Sequence, residues 1–156
     1  MDLENTPDEV LIANVVNGDD ASFEQLVKKY EYTNHPTVEL YIIGGKWKKE
    51  IRESYGQIAE EDLKKLKLDK AFIGLSSFTA KDITVGEIEI AKLKQIVIEN
   101  SKETIGLADS SKFGKELFAY VSPISALKCL ISDDMLPVKI KNQIENSGPK
   151  VILVAK

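Results

Sequence analysis

The chain has 156 residues, 43% of them hydrophobic and 29% charged, with a formal net charge of -4. That is enough for one globular domain with a real core, and the acidic balance excludes a whole-chain nucleic-acid binder, which carries a basic excess. No apolar run approaches bilayer length, the acidic opening at 1–9 is not a signal peptide, and the single cysteine, Cys129, has no partner for an internal disulfide, so a cytoplasmic protein without membrane contact is expected.

Thr6-Pro7-Asp8-Glu9 is a helix start: Thr6 can cap, Pro7 suits the first helical position, and Glu9 completes a capping box. The helix runs through Val10 to Val16 and stops at Asn17-Gly18. The β-branched residues there leave a strand as the alternative. A second helix starts at Asp19 or Asp20. In it Phe23, Leu26, Val27 and Tyr30 fall at i, i+3, i+4 and i+7, one apolar face. Residues 1–32 are therefore expected to form a helical hairpin. The stretch from Asp8 to Tyr30 also resembles the opening of extracytoplasmic-function sigma factors, matching at Gly18, Asp19, Phe23, Leu26, Val27 and Tyr30. That resemblance ends at Tyr30, short of any promoter-reading helix.

Residues 32–36 read as a turn, because Pro36 disfavours helix before it. Residues 38–43 read as a strand ended by Gly44-Gly45, a pair that turns sharply or lets backbone approach a ligand. Lys46, Lys48 and Lys49 surround Trp47; this reads as a solvated loop, with nucleic-acid contact as the alternative. Tyr55, Ala59, Leu63 and Leu66 mark a helix over 54–67. A buried strand at 71–75 leads to a polar loop at 76–86. A further helix spans 86–100, with Ile90, Ala91, Val97 and Ile98 on its inner face. Lys94 shares that face. Either its stem lies on the core with the ammonium in water, or the charge reaches a bound anion.

A strand at 105–108 is followed by a short apolar piece at 117–121, broken by Ser122-Pro123. Another strand at 127–131 ends in Ser132-Asp133-Asp134. Pro137 opens a helix closed by Gly148-Pro149, and 151–155 is the last strand. Short buried runs separated by helices give an α/β fold with a mainly parallel sheet and flanking helices. No phosphate-binding glycine loop of the P-loop or dinucleotide type is present. With one histidine, His35, and one cysteine, a zinc site or a Ser-His-Asp triad fits poorly. No catalytic residue, metal or cofactor is expected.

The site expected from this order is the segment 103–114, E-T-I-G-L-A-D-S-S-K-F-G. Ligands of open α/β sheets bind beyond the carboxyl ends of the strands. Here the strand gives way to Asp109, Ser110, Ser111 and Lys112. Two hydroxyls, the free N–H groups of a helical turn and a compact positive charge suit a small anion such as a phosphate ester. The alternative is that Asp109 and the serines cap a turn and Lys112 is solvated.

From residue 33 to 156 the chain resembles the C-terminal sensor domain of DeoR-type sugar-metabolism repressors. The likeness rests on pieces in the family's order: T-N at Thr33-Asn34, I-I-G-G at 42–45, K-A-F-I-G at 70–74 and I-T-V at 83–85. A-K-L-K at 91–94, A-D-S-S-K-F-G at 108–114 and I-S-D-D at 131–134 complete it. The resemblance implies a Rossmann-like fold similar to ribose phosphate isomerase, glucosamine phosphate deaminase and CoA transferase. It implies a phosphorylated sugar held by the positions matching Gly44, Gly45, Lys94, Asp109 and Lys112, and Ser111 adds a hydroxyl.

Departures from the family pattern give further expectations. Its repressors carry a winged helix-turn-helix, for which this chain has no room, so no direct DNA binding is expected. The family's early phosphate loop is missing before residue 38, and a replacement at 17–22 would bring Asp19 and Asp20, which repel phosphate. Ile90 stands where the family usually has glutamate. The sensor domain is thus expected to be truncated. Its expected role is regulatory and not enzymatic, sensing a sugar phosphate through a homo-oligomer or through full-length relatives. The alternatives are a relative that has lost its ligand and an isomerase- or deaminase-like enzyme with Asp109 as acid or base.

Overall fold

The computed structural model describes residues 41–48 and 53–155. The expected hairpin at 1–32, the 17–22 loop, the turn at 32–36 and the first part of the strand at 38–43 lie outside the described residues.

Four strands pair into a parallel sheet: β3 (Leu68–Gly74), β6 (Ser101–Leu107), β8 (Cys129–Asp133) and β9 (Lys150–Val154), in that order across the sheet. Phe72 lies opposite Ile105, Ile105 opposite Cys129 and Ile131 opposite Ile152. Helix α2 (Ile88–Asn100) connects into β6 and helix α3 (Val138–Asn146) into β9. Pro137 caps α3, the position where a missing N–H costs nothing. This is the mainly parallel α/β architecture expected of the sequence.

A second sheet was not expected. Strands β4 (Ser77–Phe78), β5 (Asp82–Val85) and β7 (Ala119–Pro123) form an antiparallel sheet in the order β4-β5-β7. Most of the polar loop read at 76–86 is therefore strand. Phe78, Ile83 and Val85 are 1% exposed or less. Two such short strands hold too few apolar residues for a period to show.

The two sheets share one core. Ile73, Leu130 and Val151 of the parallel sheet, Ile90 of α2 and Ile144 of α3 belong to one cluster with the buried residues of the second sheet. Gly106 sits at its centre, where an added Cβ would meet the tips of Leu127 and Leu75 at 2.7 and 3.1 Å.

Near the amino end the fold departs from the expected strand and helix. Residues 41–43 carry no strand, and Tyr41 and Ile42 are exposed. Their apolar, β-branched composition suits a strand, but none of the described strands includes them. Instead β1 (Lys46–Lys48) pairs antiparallel with β2 (Glu53–Tyr55), so the expected solvated loop around Trp47 is half of a ladder. Gly56, at φ 91°, then separates β2 from α1 (Gln57–Lys64), which starts later than the expected residue 54.

Leu130 is fully buried at the middle of β8. Replacing it with alanine should cost about 2–5 kcal/mol, through lost transfer energy and the cavity left behind. Urea unfolding of wild type and Leu130→Ala checks this through the shift in midpoint at constant slope.

Candidate functional site

The segment after β6 is held by its own backbone. The Ala108 N–H donates to the Ile131 carbonyl at 3.1 Å, which keeps the chain in sheet register for one more residue. Asp109 then caps a short 3-10 turn, Ser110–Lys112, accepting the Ser111 N–H at 2.9 Å. The Lys112 N–H donates to the Asp109 carbonyl and the Phe113 N–H to that of Ser110, both at 3.1 Å. The remaining N–H, of Ser110, donates to Asp133 Oδ2 at 2.7 Å.

All the turn's N–H groups are thus used within the protein. The expectation that they point at a bound anion is corrected, because a 3-10 turn capped at both ends leaves none free. What the loop offers to solvent is the exposed Ser111 and the half-exposed Lys112, whose Nζ lies 4.0 Å from Asp109 Oδ2.

Asp133 received no role from the sequence, yet it anchors this site. It is fully buried at the carboxyl end of β8. Its Oδ1 accepts the Met135 N–H at 2.9 Å while Oδ2 holds Ser110. A buried carboxylate demands such donors, so an aspartate ending a buried strand was the available signal. On the other side, Phe113 packs edge-on against Phe78 with centroids 5.6 Å apart, and the Gly114 N–H donates to the Phe78 carbonyl. The Ser77 hydroxyl donates to the Lys115 carbonyl.

Lys94 belongs to a different cluster. It is buried on α2, and its ammonium meets Glu53 Oε1 of β2 at 2.9 Å. The other carboxylate oxygen, Oε2, is buried without a hydrogen-bond partner. No hydrogen bond or ion pair among the described residues joins Lys94 to Asp109 or Lys112. Sequence reasoning also missed Glu53, which lies 41 positions away along the chain.

Gly44 and Gly45 stand before the β1–β2 pair, at its Tyr55 end, whereas Glu53 lies opposite Lys48 at the other end. Gly45 has φ 120°, and a Cβ there would fall 2.6 Å from the Tyr55 carbonyl oxygen and 3.2 Å from Ala59 Cβ. The glycine is therefore required by a close approach to the protein's own backbone. Gly44 is exposed, with Ile58 Cγ2 at 3.8 Å. Of the six expected site residues, Asp109, Ser111 and Lys112 form one group, Lys94 pairs with Glu53, and Gly44 and Gly45 lie against Tyr55, Ile58 and Ala59.

No group of three or more metal-ligating side chains occurs among the described residues, and none of their helices is long and apolar enough to cross a membrane.

A mainly parallel sheet with flanking helices and a capped polar turn at a central strand's carboxyl end defines a Rossmann-like α/β domain. The chain belongs to the DeoR family: residues 26–134 match the DeoR C terminal sensor domain. It is similar to the HTH-type transcriptional repressor GlcR of Bacillus subtilis (strain 168), 30% identical over 116 residues, covering 74% of this chain and 45% of that one. An uncharacterized HTH-type transcriptional regulator of Haemophilus influenzae is 32% identical over 111 residues, covering 71% and 43%. The HTH-type transcriptional regulator GlpR of Haloferax volcanii is 22% identical over 120 residues, covering 76% and 47%. The chain spans less than half the length of these relatives, which are transcriptional regulators by name.

Asp133→Ala should leave two backbone N–H groups without acceptors, at about 1–3 kcal/mol each. Thermal unfolding should show the loss, and hydrogen exchange should show faster exchange at Ser110 and Met135. An unchanged rate at Ser110 would mean that Asp133 does not hold the loop.

Proposed function

We propose that this chain is the effector-sensing part of a DeoR-type transcriptional regulator and that its ligand is a phosphorylated sugar. The observation that carries this reading is the loop at 109–114. It is tied down by backbone hydrogen bonds, lies at the carboxyl end of a central parallel strand, and leaves Ser111 and Lys112 open to solvent. That is the end at which open α/β sheets take ligands. Lys94, buried on α2 and paired among the described residues with Glu53, is the second cation suited to a phosphate.

Sensing works by differential affinity: a ligand that prefers one arrangement of the domain shifts the population toward it. The readout is assembly with further copies of the chain or with full-length relatives, in a cytoplasmic setting and without direct DNA contact by the described domain. An isomerase- or deaminase-like role is less well supported. Asp109 caps the turn and Asp133 accepts two backbone N–H groups, so both carboxylates already serve the loop's structure.

Calorimetric titration with a panel of sugar phosphates tests the proposal. Binding should weaken about tenfold to a hundredfold in Lys112→Ala, since a hydrogen bond to a charged group is worth roughly 1.5–3 kcal/mol. Glu53→Gln should strengthen binding severalfold by removing the carboxylate that competes for Lys94. A folded protein that gives no heat with any sugar phosphate would overturn the reading. Binding indifferent to both substitutions would place the ligand elsewhere.

A further inference from the structure

Strand β7 turns aromatic rings away from the core. Its residues alternate as strand residues must. Ala119 and Val121 belong to the core cluster, whereas Tyr120 is 52% exposed and Phe118, just before the strand, 81%. The outward positions of an antiparallel sheet ordinarily carry polar residues. Two more exposed apolar side chains stand at the same corner. Leu117 precedes Phe118, and Ile88 comes three residues after Val85, which lies opposite Ala119. Buried aromatic side chains dominate the energetics of interfaces.

The strip is also held in place. The Gly114 N–H donates to the Phe78 carbonyl at 2.9 Å, the Ser77 hydroxyl to the Lys115 carbonyl, and the Leu117 N–H to Thr84 Oγ1 at 2.9 Å. Past Phe118, Gln95 Nε2 of α2 donates to the Tyr120 carbonyl at 3.2 Å. Exposed rings on a backbone anchored on both sides lose little freedom when they are covered, so the strip is preorganised for a partner.

We propose that this strip is a self-association surface and that its partner is the same strip on a second copy of the chain. Two observations favour that occupant. The first is charge. Exposed Lys115 and Glu116 lead into the strip, and exposed Glu89 and Lys92 follow Ile88 on α2. The two signs balance, whereas nucleic acid or an anionic lipid surface calls for a basic rim. Adjacent opposite charges suit a twofold axis, which sets residue i against j and j against i. An axis along the strip brings Phe118 against the partner subunit's Phe118 and exchanges the charges, so that Lys115 meets the partner subunit's Glu116.

The second is area. Aromatic side chains bury about 150–250 Å² each, so the four apolar side chains together offer about 400 Å² per copy. That is about half of what each partner gives to an interface of standard size. The polar rim supplies the rest, and a reversible dimer forming at micromolar concentration follows. The dimer gives the assembly proposed above a surface, but it does not rest on the sugar-phosphate reading, and its test contains no ligand.

Sedimentation velocity of the full chain, from about 1 to 100 micromolar, tests it. Wild type should pass from monomer to dimer across that range. Phe118→Asp should weaken self-association at least about tenfold and still unfold cooperatively, because the ring it removes lies outside the core. A second measurement does not depend on that variant. Lys115→Glu and Glu116→Lys should each stay largely monomeric alone, since each sets like charges together twice. Mixed, they should form a heterodimer, since mixing restores both pairs. The proposal is overturned if wild type is monomeric throughout, or if Phe118→Asp dimerises as well as wild type. It is overturned also if the two charge variants associate no better together than apart.

Discussion

The carboxylate of Asp133 is the constraint on which the candidate site depends. A charge taken wholly out of water is tolerated only when its oxygens are matched by donors. Asp133 finds them in the Ser110 and Met135 backbones, and so ties the end of β8 to the turn that follows β6. This one side chain fixes where two adjacent strand ends stop and what they present. Because Ser110 is spent inward, the outward chemistry passes to the next two residues, Ser111 and Lys112. Asp109, capping the same turn, sets the height at which the Lys112 ammonium stands.

The antiparallel sheet gives that loop its other wall. Phe78 serves twice, packing its ring against Phe113 and offering its carbonyl to Gly114. Its side chain is fully buried in the shared core, so a displacement of the loop would be felt by the core rather than absorbed at the surface. Packed cores yield in discrete steps and not continuously. A loop braced in this way can transmit occupancy to the body of the domain, which is what a sensing role requires of it.

Much of this was legible in the sequence, and the reasons for the rest are physical. Strands β3, β6, β8 and β9 each carry a short apolar run, at 71–73, 105–107, 129–131 and 151–154, and α2 and α3 carry helical stripes, so pattern found them, while the polar residues before those runs in β3 and β6 gave no strand signal. The antiparallel sheet escaped because Ser77-Phe78 holds a single large side chain and Asp82-Ile83-Thr84-Val85 is interrupted by polar residues. The strand read at 38–43 rested on composition, and pairing is not a property of composition; its described part, 41–43, is not strand. At the site, the cap at Asp109 was readable because cap chemistry is local. The Lys94–Glu53 and Ser110–Asp133 contacts join residues 41 and 23 positions apart, and no local period reports them.

The Lys94–Glu53 pair also has a consequence for how any anion could act here. A buried ammonium cannot stand without a partner, and Glu53 supplies one at 2.9 Å while leaving its own Oε2 unmatched. The pair is therefore half-satisfied, and a half-satisfied buried network is costly to keep. An incoming phosphate would offer Lys94 more acceptor oxygens than Glu53 does, and Glu53 would gain water by leaving. Glu53 is not an isolated side chain. It sits on β2, which pairs with β1, and Gly45 before β1 packs against Tyr55 and Ala59 with no room for a side chain. Releasing Glu53 thus loosens a hairpin rather than a rotamer. Exchange of one carboxylate for one ligand would in this way be felt along the β1–β2 pair.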